Sequence, residues 1–86
     1  MKNENKTLGQ KRIGNFNPES ESIVDVLKTK AAELIDYIND NVGNSGYTNG
    51  DDATEILQAI GRLKSLAYTD IETATMWAVK AHMHYR

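Results

Sequence analysis

The chain has 86 residues, no cysteine, one proline, 40% hydrophobic residues and a formal charge of −2. This length allows one domain, the hydrophobic fraction excludes wholesale disorder, and no apolar run approaches the ~20 residues that span a bilayer. Without cysteine there is no disulfide, thiolate metal site or thiol nucleophile. The polar N-terminal residues have no apolar stretch behind them, so the sequence predicts a cytoplasmic protein without a secretory signal or a membrane segment.

The charge is unevenly distributed. Residues 1–16 carry +3, residues 17–60 carry −7 and residues 61–86 carry +2. Binding to a nucleic-acid duplex needs a continuous basic stripe, whereas the bases here are few and lie among acids. We therefore expect no binding to a DNA or RNA duplex. Single Lys and Arg side chains can still bind individual phosphates.

The first predicted helix follows a segment without hydrophobic periodicity. Residues 1–15 predict a flexible basic arm, and residues 16–86 predict a single helical domain. Asn17-Pro18-Glu19 combines a capping residue, a proline suited to the first helical position and an acid, so it predicts the helix start. An apolar stripe then continues to about residue 41, formed by Ile23, Leu27, Ala31, Leu34 and Ile38.

The second half of the chain predicts two further helical segments. Residues 43–50 are rich in Gly and Asn and predict the connection. After them, Asp52 and Glu55 form a capping box, and an apolar stripe runs from Ile56 to Ala67. Thr69, with glutamate three residues later, is a second start signal. The helix is therefore expected to be interrupted or bent near Ala67-Tyr68 and to restart at Thr69.

The last helix carries apolar side chains on several faces. Such a helix is usually buried from more than one side, and a core this small supplies only ~3–5 kcal/mol. The predicted fold class is therefore all-α, with short antiparallel helices and a kinked or interrupted C-terminal helix, assembling as a homo-oligomer. The apolar positions are Ile71, Ala74, Met76, Trp77, Ala78, Val79, Ala81 and Met83.

No catalytic residue, metal ligand or cofactor motif stands out. His82 and His84 would point ~200° apart on a helix, so they cannot share a metal ion. The serines have no histidine at an informative spacing, and the glycine-rich loop lacks the ending of a phosphate-binding loop. We predict a protein that is not an enzyme and has neither a metal nor a cofactor.

A few residues have the chemistry to bind a nucleotide, and each also has a structural explanation. Phe16 could stack on a base or pack against the following helix. Lys28 could bind phosphate or form a surface ion pair. Gly61 permits close approach of a ligand or a second helix, and Arg62 beside it offers a planar donor fork or is merely solvated. Thr69 could contact phosphate as well as cap its helix.

Two groups of motifs occur at fixed spacing on either side of the turn-rich segment. Downstream are Gly61-Arg62-Leu63, Thr69-Asp70-Ile71-Glu72-Thr73 and Met76-x-Ala78-Val79-Lys80-Ala81. Upstream are Phe16-Asn17-Pro18, Leu27-Lys28 and Ala31-Ala32-Glu33-Leu34-Ile35-Asp36. Over most of residues 14–83 this arrangement resembles the phage anti-CBASS sponge family. These are small all-helical phage proteins that blunt a cyclic-oligonucleotide immune signal.

The resemblance implies homohexamers of kinked-helix protomers that act in the cytoplasm of the infected bacterium. They bind cyclic dinucleotides between protomers and cyclic trinucleotides at a separate site, and they cleave neither. It assigns Phe16 and Lys28 to the dinucleotide pocket, with Lys30 as the alternative lysine if the alignment shifts by two residues. It assigns Arg62, beside Gly61, to the trinucleotide site. The family often has tyrosine where Phe16 stands, so the stacking face is kept and the hydroxyl is lost.

Two other hypotheses remain open. The chain could be a structural or protein-partner helical homo-oligomer without a nucleotide ligand. It could also be a small DNA-binding regulator in which the Ala67-Tyr68 break forms a helix-turn-helix. Against this second alternative, the recognition helix would begin with Asp70 and Glu72, which would face phosphate.

Overall fold

The computed structural model describes residues 6–43 and 53–84. These ranges contain three α-helices and no strand: α1 (Leu8–Ile13), α2 (Ile23–Asn41) and α3 (Ala53–Met83). The predicted all-α class is therefore confirmed. The predicted connection over 44–50 and the capping residue Asp52 lie outside the described residues.

Helices α2 and α3 form an antiparallel hairpin. Near the end of α2, Lys64 Nζ of α3 donates to the main-chain carbonyls of Asn39 and Val42 at 3.3 and 2.8 Å. At the other end, Ile23 lies beside Met83 in a shared cavity. No helix in the described ranges has an apolar stretch long enough to cross a membrane.

The hydrophobic core of the described residues is small. Its buried apolar residues are Ala31, Ala32 and Ile35 of α2 and Tyr68 of α3. Ile35 has no exposed surface, whereas Leu34 beside it is 48% exposed. The apolar stripe predicted for α2 is thus present, but the other described residues leave part of it uncovered.

Helix α2 begins later than the sequence predicts. Its N-cap is Ser22, whose hydroxyl accepts from the N–H of Asp25 at 3.1 Å. Asn17 instead forms a turn in which its side-chain oxygen accepts from the N–H of Glu19 at 3.0 Å. The predicted start at Asn17-Pro18-Glu19 is therefore wrong, because the asparagine closes a local turn and Ser22 takes the cap.

Helix α3 is continuous over 31 residues. The predicted interruption at Ala67-Tyr68 is therefore wrong, whereas the predicted bend stays a prediction. Thr69 lies within the helix and does not cap it. The two residues of the apparent capping box, Thr69 and Glu72, instead accept hydrogen bonds from Arg12 of α1. The break on which the helix-turn-helix hypothesis depends is absent.

Helix α1 lies in the segment predicted to be a flexible arm, so that prediction is wrong for Leu8–Ile13. Thr7 and Gln10 form a capping box: the N–H of Gln10 donates to Thr7 Oγ1, and the N–H of Thr7 donates to Gln10 Oε1, at 3.1 and 3.0 Å. With six residues, the helix is too short to show hydrophobic periodicity. The Thr-x-x-Gln spacing was the one signal that could have predicted it.

Close backbone contact joins α1 to α2. Gly9 is buried against the main-chain carbonyl of Ala32, where a Cβ atom would have no room. Its N–H donates to Asp36 Oδ1 at 2.7 Å. Glycine is required here because any side chain would separate the two helices. The contact sets the position of the rest of α1, including Arg12 and Ile13, and of Phe16 after it.

Candidate ligand-binding site

Arg12 at the end of α1 links this helix to α3. Its Nε forms an ion pair with Glu72 Oε2, and a terminal nitrogen lies 3.5 Å from Thr69 Oγ1. The guanidinium carbon also lies 5.2 Å from the centre of the Tyr68 ring, in cation–π geometry. Burial raises the pKa of Tyr68, so the ring stays neutral. Three residues within little more than one turn of α3 thus hold the Arg12 side chain.

A cavity of about 390 Å³ opens where the three helices meet. This volume is within the ~300–1,000 Å³ typical of small-molecule sites. Ile13 of α1 and Lys28 of α2 contribute to its wall, and α3 contributes Glu72, Thr75, Met76, Val79 and Lys80. The wall therefore combines an apolar surface with two lysines and one acid. Such a wall suits an anionic ligand that also presents an apolar or aromatic face.

Lys28 connects this cavity to the segment that contains Phe16. Its Nζ donates to the carbonyl oxygen of Asn15, the residue before Phe16, at 3.1 Å. Its hydrogen-bond acceptor is thus a main-chain carbonyl and not the carboxylate that a surface ion pair would require. The alternative lysine, Lys30, is exposed and lines a different groove between α2 and α3.

Phe16 lies half-buried between α1 and the start of α2. It lines a smaller cavity of about 170 Å³ with Lys6, Gln10, Gly14 and Pro18. A residue that staples a helix stands immediately before the N-cap, and that position belongs to Glu21 because Ser22 is the cap. The hydrogen bond from Lys28 to Asn15 places Lys28 beside the residue that precedes Phe16. The side chains of Phe16 and Lys28 nevertheless line separate cavities.

Asp25 fixes the chain just after Phe16. Its Oδ1 accepts from the N–H of Asn17 at 3.1 Å, and its Oδ2 accepts from the Ser22 hydroxyl. The Asn17 N–H, followed by the Ser20 and Ser22 side chains, lowers the pKa of Asp25 below its ordinary value. The carboxylate is therefore charged at neutral pH and holds the Phe16 segment against the first turn of α2.

The structure keeps Gly61 and Arg62 apart from the Lys28 cavity. Both are exposed, and a Cβ atom added to Gly61 would contact nothing within 4 Å. Arg62 lies ten residues before Glu72 in α3, or about 15 Å along the helix axis. Nothing in the described part of the chain makes the close approach that Gly61 permits. Thr69 lies between the two regions, in contact with Arg12.

The two histidines lie at the far end of α3. His82 is half-buried beside the first turn of α2, and His84 follows the end of the helix. In the part of the chain that the structure describes, no three acidic or histidine side chains lie together as metal ligands would.

Comparison with known proteins agrees with this hairpin architecture. The sequence model for the Acb2/Tad1 hairpin domain matches residues 10–82. The chain belongs to the Acb2/Tad1 hairpin family. Its members are phage anti-CBASS proteins that act as cyclic-nucleotide sponges, which confirms the family predicted from the motifs. No curated protein and no solved structure matches the chain.

Two residues of the site, Lys80 in the cavity wall and Arg12 beside it, were not predicted from the sequence. Lys80 occurred within a motif but was given no role, and Arg12 was placed in a flexible arm. Both depend on the packing of α1 and α3, which brings residues 60 positions apart into contact at Arg12 and Glu72. No local pattern signals a contact of that sequence separation.

Proposed function

We propose that this protein binds cyclic dinucleotides and cyclic trinucleotides without cleaving them. By sequestering these messengers in the cytoplasm of an infected bacterium, it inhibits CBASS-type antiphage signalling. The observation that carries the proposal is the family match over residues 10–82. The cavity beside Lys28 supports it, because its cationic and apolar wall fits a nucleotide.

For the cyclic dinucleotide, we assign Phe16 to base stacking and Lys28 to phosphate binding. A base stacked on an aromatic ring contributes ~1–3 kcal/mol. A hydrogen bond from an ammonium group to phosphate is charge-assisted and stronger than a neutral one. The ammonium group of Lys28 is already held near the Phe16 segment by its hydrogen bond to the carbonyl of Asn15. On ligand binding, it would exchange this carbonyl for a phosphate oxygen.

For the cyclic trinucleotide, we assign Arg62 to phosphate binding at a separate site. The exposed backbone at Gly61 leaves room for the ligand or for another copy of the chain. We also assign to Thr69 a hydrogen bond donated to phosphate, since its hydroxyl can accept from Arg12 and donate its own proton at the same time.

Calorimetry with panels of cyclic dinucleotides and cyclic trinucleotides tests both assignments. Loss of a hydrogen bond to a charged group costs ~1.5–3 kcal/mol, so Lys28→Ala should weaken dinucleotide affinity roughly ten- to hundredfold. Phe16→Ala should weaken it to a similar extent, whereas Phe16→Tyr should retain stacking. The ligand recovered after binding should be intact.

Each variant serves as the control for the other site. Arg62→Ala should weaken trinucleotide affinity and leave dinucleotide affinity unchanged, with the reverse for Lys28→Ala. Lys30→Ala controls for the loss of any α2 lysine. Normal dinucleotide affinity in both Lys28→Ala and Phe16→Ala would reject the pocket assignment, and cleavage of the recovered ligand would reject sequestration.

The uncovered apolar surface supports self-assembly, which we propose to be a homohexamer. Isolated soluble proteins rarely leave a large contiguous apolar surface exposed, and Leu63 is 61% exposed while Trp77 is 59% exposed. Such side chains occur on both long helices and at the C-cap of α2: Ile23, Leu34, Tyr37, Val42, Ile56, Leu57, Leu63, Leu66, Met76, Trp77 and Met83. A second copy would cover what the protomer leaves open.

Sedimentation analysis tests this assembly. The Leu63→Lys variant should form smaller species than the wild-type protein does, because an interface would have to bury the new charge. Ser65→Lys adds the same charge to the same helix, on a face ~200° away from that of Leu63. If the interface involves the Leu63 face, this variant should have the same oligomeric state as the wild type. A monomeric wild-type protein would contradict the hexamer.

The alternative function is a structural helical homo-oligomer with no nucleotide ligand. The exposed apolar side chains would favour it equally. It predicts an assembly whose melting temperature responds to no cyclic nucleotide in either panel.

A further inference from the structure

The charge of the Lys28 cavity depends on one acid in its wall. Lys28 and Lys80 each bring a positive charge, and Glu72 is the one acid among the described lining residues. A free carboxylate at this place would offset one lysine and repel an approaching phosphate. The cavity can favour an anion strongly only if the charge of Glu72 is compensated.

Arg12 supplies that compensation from outside the cavity. Its Nε pairs with Glu72 Oε2, yet Arg12 is not among the residues that line the cavity. The two side chains are only 30% and 31% exposed, so solvent screens the pair less than it would screen a pair on the open surface. Tyr68 and Thr69 hold the guanidinium from its other sides.

We propose that Arg12 is a positioning residue for the anionic ligand of the Lys28 cavity. By neutralising Glu72, it leaves Lys28 and Lys80 as the two charges of the cavity wall that attract the bound phosphates. Lys80 is therefore a second phosphate-binding cation of this site. The inference deepens the proposed function and rests on it, because the ligand is the cyclic dinucleotide assigned to Lys28.

A double-mutant cycle of Arg12 and Glu72 tests this role. Affinity is measured by calorimetry with the cyclic dinucleotide that the wild-type protein binds best. Arg12→Ala should weaken affinity roughly five- to tenfold at low salt, because Glu72 becomes uncompensated, and the loss should shrink as salt screens the charge. Glu72→Gln should bind at least as tightly as wild type. Combined with Arg12→Ala, it should restore affinity to within about twofold, because the repulsive charge is gone.

The double variant separates electrostatics from docking of α1. Both Arg12→Ala and the double variant lack the contacts of Arg12 with Tyr68 and Thr69, so a purely structural defect would persist in both. Arg12→Ala combined with Glu33→Gln removes an exposed acid of α2 that does not line the cavity, and it should not restore affinity.

The outcomes separate this inference from the proposed function. Wild-type binding with no loss in Arg12→Ala, or with a loss that Glu72→Gln does not restore, overturns the role of Arg12 and leaves the proposed function standing. Unchanged affinity in Lys80→Ala overturns the assignment of Lys80. Absence of binding by the wild-type protein to every cyclic dinucleotide rejects both the proposed dinucleotide function and this inference.

Discussion

Replacing Gly9 with alanine should lower the free energy of unfolding by roughly 1–3 kcal/mol, the usual cost of overpacking. The new Cβ would overlap the main-chain carbonyl of Ala32, and a backbone atom within a helix cannot turn aside as a flexible side chain can. The two helices would have to separate, which would also break the 2.7 Å hydrogen bond between Gly9 N–H and Asp36. Alanine gains at most ~1 kcal/mol in helix propensity, so the clash should outweigh it.

Urea denaturation at fixed protein concentration measures this loss, and Gly61→Ala is the matched control. Gly61 also lies within a helix, but a Cβ there meets nothing within 4 Å. The same substitution should therefore stabilise the chain by up to ~1 kcal/mol. Amide exchange should also show faster exchange in α1 of Gly9→Ala. Equal effects of the two substitutions would contradict the close contact between α1 and α2.

The Gly9 substitution should also reduce ligand binding. Arg12 and Ile13 are placed against α3 only while α1 is docked on α2. An undocked α1 would leave Glu72 without Arg12 and open the cavity that contains Lys28. Stability and dinucleotide affinity should therefore decrease together in Gly9→Ala, whereas Gly61→Ala should preserve dinucleotide affinity.

Truncating Ile35 to alanine should destabilise the protein by about 2–5 kcal/mol, the cost of deleting a fully buried aliphatic side chain and leaving a cavity. Ile35 has no exposed surface and is the one large side chain completely buried among the described residues. In a core that otherwise contains two alanines and Tyr68, few neighbours are large enough to refill the space. Thermal and urea unfolding of the variant measure the effect.

Leu34→Ala is the neighbouring control. Leu34 is 48% exposed in the protomer, so its truncation should cost clearly less than that of Ile35. If Leu34 lies in the interface between copies, its effect should grow when protein concentration is raised, because assembly and stability are then linked. Equal losses at all concentrations for Leu34→Ala and Ile35→Ala would contradict the core described here.

The helical architecture could be predicted in outline because periodicity reports the face that a helix buries. The stripe around Ala31 and Ile38 correctly predicted α2 and its end near residue 41. Helix starts were predicted less well, because several residues in a row can cap. Asn17 and Thr69 both have capping chemistry, yet Asn17 forms a turn and Thr69 contacts Arg12 within a continuous helix.

The candidate site could be predicted only in part. Motif spacing singled out Phe16 and Lys28, and the family to which the motifs pointed is confirmed, while the ligand roles of both residues remain predictions. Arg12 and Lys80 were not singled out, since their roles depend on where α1 and α3 lie relative to α2. Lys80 shares a cavity wall with Lys28 although 52 positions of sequence separate them.

The sequence by itself determined the all-α class, the C-terminal end of α2 and the family, because hydrophobic periodicity and motif spacing are local properties of the chain. Only the tertiary structure decided that residues 8–13 form a docked helix, that α3 passes unbroken through Tyr68, and that Arg12 reaches Glu72. The physical reason is that a capping signal has a small free energy, ~1 kcal/mol. Burial and charge pairing between distant segments can override it, and those contacts exist only once the helices have packed.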